Sequence, residues 1–369
     1  DTILLDFSKA FDKVSHPKLI YKLQHCGIGG KTLSWIEAFI SNRTQSVVVD
    51  GSHSSPARVT SGVPQGSVLG PTLFLVYIND ITERCSSNIR LFADDTIVYR
   101  EIRTKEDHVY LQQDLDHLTT WANSWQMKFN TSKCRLLSIT NKRNSSLHSY
   151  FLDSQPLEST DEHDYLGVRM SRDLRWNRHC LKVTAKANKM LGLLRRTLKP
   201  CSQKVKERAY TTMVRPILEY AAPVWSPYTS KDVQKIEQVQ KNAARFVTNN
   251  YHPRASTSEL VSQLNWDSLE NRRLFAQAAT FYKISNNLVN INFPPEVQPN
   301  LRLTRTNSLK FKQIQSNVLA YNYSFYPRTV RTWNLLPTKV TGAPTIEIFK
   351  SNALPAIRSI RVPGHLRRL

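Results

Sequence analysis

The chain has 369 residues, 40% of them hydrophobic, with 51 Lys+Arg against 29 Asp+Glu and a formal net charge of +22. That length suits two or three domains, and that apolar fraction excludes a disordered chain. The excess charge points to a polyanionic partner, nucleic acid being the commonest. It is unevenly spread: residues 1–170 hold 18 basic and 19 acidic residues, and residues 171–369 hold 33 and 10. An acid-balanced half followed by a basic half suits a metal-using site followed by a phosphate-gripping region. The five cysteines (26, 85, 134, 180, 201) form no CxxC pair. They imply no disulfide framework and no zinc knuckle, and read as reduced thiols of an intracellular protein. No apolar run reaches the ~18–20 residues that cross a membrane. No signal peptide opens the chain.

In chain order, the apolar run Thr2–Leu5 predicts a buried strand. Lys18–Cys26 predicts a helix, with Pro17 at its start and Gly27 as its stop, and Thr32–Ile40 a second. Gln45–Val49 and Ala57–Thr60 read as a hairpin around Asp50-Gly51. A Gly/Pro-rich loop, Gly62–Pro71, leads into an apolar helix over Thr72–Ile81. Ile89–Phe92 and Thr96–Tyr99 are short strands pinched around Asp94-Asp95. Leu111, Leu115, Leu118, Trp121 and Trp125 recur at helical spacing within Lys105–Gln126. Leu136–Thr140 and Tyr165–Met170 read as strands. The pattern is α+β with a mainly antiparallel sheet. From about residue 175 helices replace strands: Arg178–Arg196, Lys204–Val214, Lys231–Val247 and Trp266–Asn286. An Asn/Pro-rich linker follows over 287–310, then a tail with aromatic clusters and a basic end. The expected division is 1–172, 173–286 and 287–369.

Three segments together carry chemistry. Leu5-Asp6-Phe7-Ser8-Lys9-Ala10-Phe11-Asp12 puts a carboxylate at the end of a buried strand. Gly62-Val63-Pro64-Gln65-Gly66-Ser67-Val68-Leu69-Gly70-Pro71 is a glycine-rich loop before a buried helix. Leu91-Phe92-Ala93-Asp94-Asp95-Thr96 is a tight turn with two adjacent acids. Carboxylates beside an apolar sheet are costly unless compensated. Two brought side by side repel, which divalent cations relieve, and paired Mg²⁺ ions held by carboxylates serve phosphoryl transfer. Each segment alone is an ordinary turn or loop; the order and spacing of all three is specific.

DFSKAFD, GVPQGSVLGP and FADD resemble motifs A, B and C of reverse transcriptases, in the wording of LINE-type (non-LTR), jockey-like retrotransposons. The run Trp125–Cys134 is similar to motif D and Tyr165-Leu166-Gly167-Val168 to motif E, the primer grip. Arg215–Trp225 and Thr332–Pro337 look like C-terminal segments of the same elements. The resemblance implies a right-hand polymerase fold: a palm over 1–172, a helical thumb or connection over 173–286 and a C-terminal basic region over 287–369. It implies an RNA-directed DNA polymerase that uses two Mg²⁺ ions, with Mn²⁺ as an alternative. Its partners would be an RNA template, a DNA primer or target and dNTP, in the nucleus or a cytoplasmic ribonucleoprotein.

Carried over residue by residue, Asp6 and Asp94 would be the main metal ligands, with Asp95 as third acid and the Phe7 carbonyl completing one metal. Phe11 would stack under the incoming sugar, or else simply pack the core. Gln65 and Gly66 would meet the incoming nucleotide or template. Lys133 would protonate the pyrophosphate leaving group, unless it is a surface lysine. Tyr165, Leu166 and Gly167 would form the primer grip. Arg172, Arg175, Arg178, Lys182, Lys186 and Lys189 step at helical intervals and would make one phosphate-binding face. His16, His25, His163 and His179 have no ligand-like spacing and read as ordinary residues.

The chain opens on Asp1 within an apolar run and shows neither fingers nor an endonuclease ahead of motif A. The expectation is a fragment that binds nucleic acid but polymerises poorly or not at all. The alternative is a non-catalytic nucleic-acid-binding remnant or domesticated protein of the same fold. A viral RNA-dependent RNA polymerase is disfavoured, because Ala93 stands where glycine is usual and Phe11 would obstruct a ribonucleotide.

Overall fold

A computed structural model describes residues 1–140, 142, 148–300 and 310–360. The basic end of the tail and the last part of the predicted linker lie outside these residues. The chain forms two compact units: Asp1–Gly167 with Ser171–Asp173, and Val168–Met170 with everything from Leu174 onward.

The first unit is built on a five-stranded sheet. Strand β1 (Thr2–Leu5) is buried along its whole length. Helices α1 (His16–His25) and α2 (Gly30–Ile40) follow, then α3 (Leu69–Ile78). Strands β2 (Asn88–Phe92) and β3 (Asp95–Tyr99) form a hairpin, and α4 (Lys105–Ser124) leads to β4 (Arg135–Leu137) and β5 (Glu158–Ser159). The order is β5-β4-β1-β3-β2, so the most apolar strand takes the centre. β1 pairs antiparallel with both β3 and β4; only β5 against β4 runs parallel. The expected α+β architecture with a mainly antiparallel sheet is therefore what the chain forms.

Helix α3 explains itself by composition. It is apolar nearly all round and buries Leu73, Phe74, Tyr77 and Ile78 in the core shared with Ile3, Leu5 and Phe7. Burying each such side chain contributes roughly 1.5–3 kcal/mol. It begins at Leu69, three residues before the predicted start, because Gly70 lets the helix approach the Pro64 carbonyl: a Cβ there would lie 2.4 Å from that oxygen. Helix α4 starts with a capping box between Thr104 and Asp107 and packs Leu111, Leu115 and Leu118 inward. Inside the same core Lys22 is buried, its Nζ 2.6 Å from Asp80 and 3.7 Å from the centroid of the Trp125 ring.

The predicted strand over Tyr165–Met170 is interrupted. Leu166 and Gly167 both have positive φ (46° and 80°), and the chain turns there between strands Glu162–Tyr165 and Val168–Ser171. Glycine suits such a turn and leucine tolerates it at a cost.

The second unit is helical. α5 (Asn177–Thr197) and α6 (Ser230–Thr248) pack around a core of Tyr210, Val214, Leu218, Trp225 and Ile236. The helix predicted over Lys204–Val214 is α-helical only to Ala209; Tyr210–Val214 is a π turn ahead of Arg215-Pro216. α7 (Leu269–Ser285), α8 (Phe325–Leu335) and α9 (Ile346–Ser359) share a second core in which Phe281, Trp333 and Phe349 are buried. Of the tail's aromatic residues, Trp333 packs on Phe281 and Phe349 on Tyr282 of helix α7.

Candidate active site

The site begins with strand register. β1 pairs with β3 up to Leu5 opposite Thr96, and with β4 up to Leu4 opposite Arg135. Continuing each pairing past its last member sets Asp6 between Asp95 on one neighbour and Lys133 on the other. The side chains agree: Lys133 Nζ lies 3.2 Å from Asp6 Oδ2. Asp6, Asp95 and Lys133 line one cavity of about 370 Å³, with Arg135, His163 and Tyr165 among its other walls.

The backbone holds Asp6 firmly. Its N–H points to Cys134 Sγ at 3.4 Å, and its carbonyl accepts from the Asn130 N–H at 2.7 Å. One residue on, Phe7 bridges Phe129, and their rings stack at 4.4 Å. The motif A strand end is thus locked to the motif D segment by main-chain bonds and an aromatic pair.

Asp94 and Asp95 sit at the β2–β3 turn. Ala93 takes φ 54° there, a left-handed conformation in which an L residue is strained. Burial raises the Asp95 pKa, the charges of Asp94 and Asp6 raise it further, and His163 opposes them. Asp95 therefore feels both of the other acids, as a site that concentrates negative charge requires. Burial also keeps His163 below the usual histidine pKa. From sequence alone His163 reads as ordinary, with no ligand-like spacing. Its signal was period-2 spacing from Tyr165 on one strand, which puts both on one face, and both line the cavity.

Asp6, Phe7, Asp94 and Asp95 do not form a ready-made cage. Among the described residues no three His, Cys, Asp or Glu side chains group closely enough to hold a metal ion. The donor chemistry does suit one: carboxylate and carbonyl oxygens prefer hard divalent cations, and Mg²⁺ completes its shell with water and substrate oxygens. Asp6 meanwhile has a cation on it, the Lys133 ammonium.

The glycine-rich loop is fastened to the motif A turn. Gly62 N–H donates to the Val14 carbonyl at 2.8 Å, and Val63 N–H to the Phe11 carbonyl at 3.0 Å. Gly62 has φ 89°, and a Cβ there would lie 2.8 Å from Asp12 Cα. Its carbonyl takes His16 Nε2 at 2.8 Å and Arg43 Nη2 at 3.2 Å. His16 and Arg43 are thus positioning residues that sequence reasoning missed; no motif contains them. Gln65 is exposed and donates from Nε2 to Asp12 Oδ1 at 3.0 Å, and Gly66 beside it has φ 78° with open space above it. Phe11 is half-buried and stacks on Phe74 at 4.4 Å, so it rests on the core and keeps an edge outward.

The six basic residues of the expected phosphate face divide. Arg172 belongs to the first unit and lies 3.4 Å from Asp161. Arg175 precedes α5, which starts at Asn177. Arg178, Lys182, Lys186 and Lys189 do fall on one stripe of α5, opposite the buried Cys180, Val183, Ala187 and Leu191. Among the described residues, no helix is long and apolar enough to cross a membrane.

Residues 2–170 match the family model described as reverse transcriptase (RNA-dependent DNA polymerase). The RNA-directed DNA polymerase from mobile element jockey of Drosophila funebris is 31% identical over 257 residues. Its Drosophila melanogaster counterpart is 29% identical over 260 residues. Each alignment covers 66% of this chain and 28% of the relative, so the chain spans under a third of either jockey protein. The probable RNA-directed DNA polymerase from transposon X-element is 28% identical over 258 residues, covering 67% and 28%. Apo telomerase from Candida tropicalis has a TM-score of 0.39 at 12% identity, covering 74% of this chain and 44% of that one. Motifs A to E all fall inside the matched span, and residues 2–170 belong to the reverse transcriptase family, of the non-LTR retrotransposon type.

Proposed function

We propose that the first unit is the catalytic palm of an RNA-directed DNA polymerase. It would join dNTPs to a DNA primer 3′-OH on an RNA template, within the copying of a retrotransposon's RNA at a nicked target. The observation that carries this reading is the row Lys133–Asp6–Asp95 across three adjacent strand ends, with Asp94 beside it. Two divalent cations, Mg²⁺ or Mn²⁺, would supply charge stabilisation for the attacking and leaving oxygens. Asp6, Asp94, Asp95 and the Phe7 carbonyl would hold them. Phe11, braced on Phe74, would set the sugar's position and exclude a 2′-OH. Gln65 and Gly66, on the exposed crest of the glycine-rich loop, would meet the nucleotide or template. Lys133 would hold a proton near the leaving group. Tyr165, Leu166 and Gly167 would steady the primer.

In the second unit, Arg178, Lys182, Lys186 and Lys189 would contact phosphates without sequence preference, with an affinity that falls as salt rises. Arg175, just ahead of α5, and Arg172, on the first unit, would be further phosphate contacts. The 1–172 segment would serve as palm, 173–286 as thumb, and 287–369 as an accessory region. Because the chain spans 28% of the length of its jockey relatives, we propose that these residues alone extend primers poorly or not at all.

The test is Mg²⁺- or Mn²⁺-dependent extension of a DNA primer on an RNA template. It is run with the chain alone and with a fingers segment joined ahead of it, against the Asp94→Asn/Asp95→Asn double variant. Extension only in the joined protein, abolished in the variant, is expected. No extension in either, with salt-sensitive RNA binding retained, would replace this reading with a nucleic-acid-binding remnant.

A further inference from the structure

The contact between Lys133 and Asp6 carries a consequence beyond a proton-donor role. Lys133 Nζ stands 3.2 Å from Asp6 Oδ2, within the 370 Å³ cavity that Asp95 also lines. Its main chain is fixed by an N–H bond to the Asn130 carbonyl at 2.9 Å, and Asn130 N–H in turn holds the Asp6 carbonyl at 2.7 Å. Strand register therefore delivers this ammonium to this carboxylate. The side chain is 66% exposed and that of Asp6 35%, so the pair can open into solvent without disturbing the core.

Asp95 lines the same cavity as Asp6, and Asp94 adjoins it in sequence, so the site gathers negative charge. Some positive charge is needed there whether or not a divalent ion is present. An ammonium and a divalent cation on one carboxylate compete, because they share its negative charge and repel each other. Resting on the proposed metal-dependent reading of this site, we propose that Lys133 is a built-in counter-ion. It holds Asp6 in the ion-free chain and gives way when a divalent ion binds, which frees its ammonium towards the substrate phosphates. Lys133 would thus be a positioning residue that sets metal affinity.

The test is Mn²⁺ binding to the 369-residue chain, read as free Mn²⁺ by electron paramagnetic resonance without substrate. An exposed ion pair is worth at most about 1 kcal/mol, which is about fivefold at 1.4 kcal/mol per tenfold. Lys133→Met is expected to tighten Mn²⁺ binding by about two- to fivefold, and Lys133→Arg to leave it close to the parent. Lys128→Met is the control. Lys128 is exposed on the same segment, with no ion pair among the described residues, and its loss should change affinity by less than Lys133→Met does. Equal or weaker binding by Lys133→Met, or an equal gain in Lys128→Met, would overturn the inference. Loss of binding in Asp6→Asn would still support the metal site. Mn²⁺ bound by none of these proteins would overturn both the inference and the metal-dependent reading on which it rests.

Discussion

Gly62 offers the sharpest test of how the glycine-rich loop is held. Substitution by alanine meets two costs. At φ 89° an L residue is strained by about 1–2 kcal/mol. The new Cβ would also sit 2.8 Å from Asp12 Cα, 2.9 Å from the Asp12 carbonyl oxygen and 3.0 Å from that of Phe11. All three are backbone atoms of a turn bonded to the loop itself, so none can rotate aside, and overpacking of this kind costs about 1–3 kcal/mol. Alanine recovers about 0.4–1 kcal/mol by stiffening the unfolded chain. The net loss for Gly62→Ala is about 1–5 kcal/mol. Gly66→Ala shares the strain, with φ 78°, but has nothing within 4 Å of its Cβ, so its loss is about 1 kcal/mol or less. Urea unfolding followed by the fluorescence of Trp121 and Trp125, both packed on the first unit's core, measures the difference. Equal losses at the two glycines, or a loss under about 1 kcal/mol at Gly62, would refute the claim that close backbone approach holds the loop.

Ala93→Gly relieves the left-handed strain between Phe92 and Asp94 at some cost in unfolded-chain entropy, for a net gain of up to about 1 kcal/mol. A lower urea midpoint for the variant would show that the Ala93 methyl contributes packing that outweighs the strain. The Asp107 carboxylate accepts from the Arg103 and Thr104 N–H groups and is held down at about pKa 2 by those backbone bonds. A carboxyl whose folded pKa is depressed adds stability that is present above its unfolded value near 3.8 and is lost as pH falls towards 2. Asp107→Asn should therefore lower the melting temperature at pH 7, and the gap to the parent should close as pH falls from about 4 to 2. A gap that does not change with pH would mean the carboxylate's charge plays no part in capping α4.

Much of this protein is legible from residues in order. The apolar run Thr2–Leu5, the acids that follow it and the adjacent pair Asp94-Asp95 announce a sheet-edge carboxylate site, because so few contexts compensate such charges. The helical periodicities of 105–126 and 178–196 likewise predict α4 and α5 to within a few residues, since an apolar stripe must find a core. The grouping of partners distant in sequence was not legible. Only the pairing of β1 with both β3 and β4 puts Asp6 between Asp95 and Lys133. Only the loop's return onto the motif A turn recruits His16 and Arg43 to the Gly62 carbonyl. The break at Leu166-Gly167 and the π turn at Tyr210–Val214 were hidden as well, because side-chain pattern says little about where the backbone must bend. Periodicity reports which face of an element is apolar, a local property of the chain. Register and loop docking depend on contacts from 19 residues apart (Arg43 to Gly62) to 128 apart (Asp6 to Cys134), and those exist only once the chain has folded.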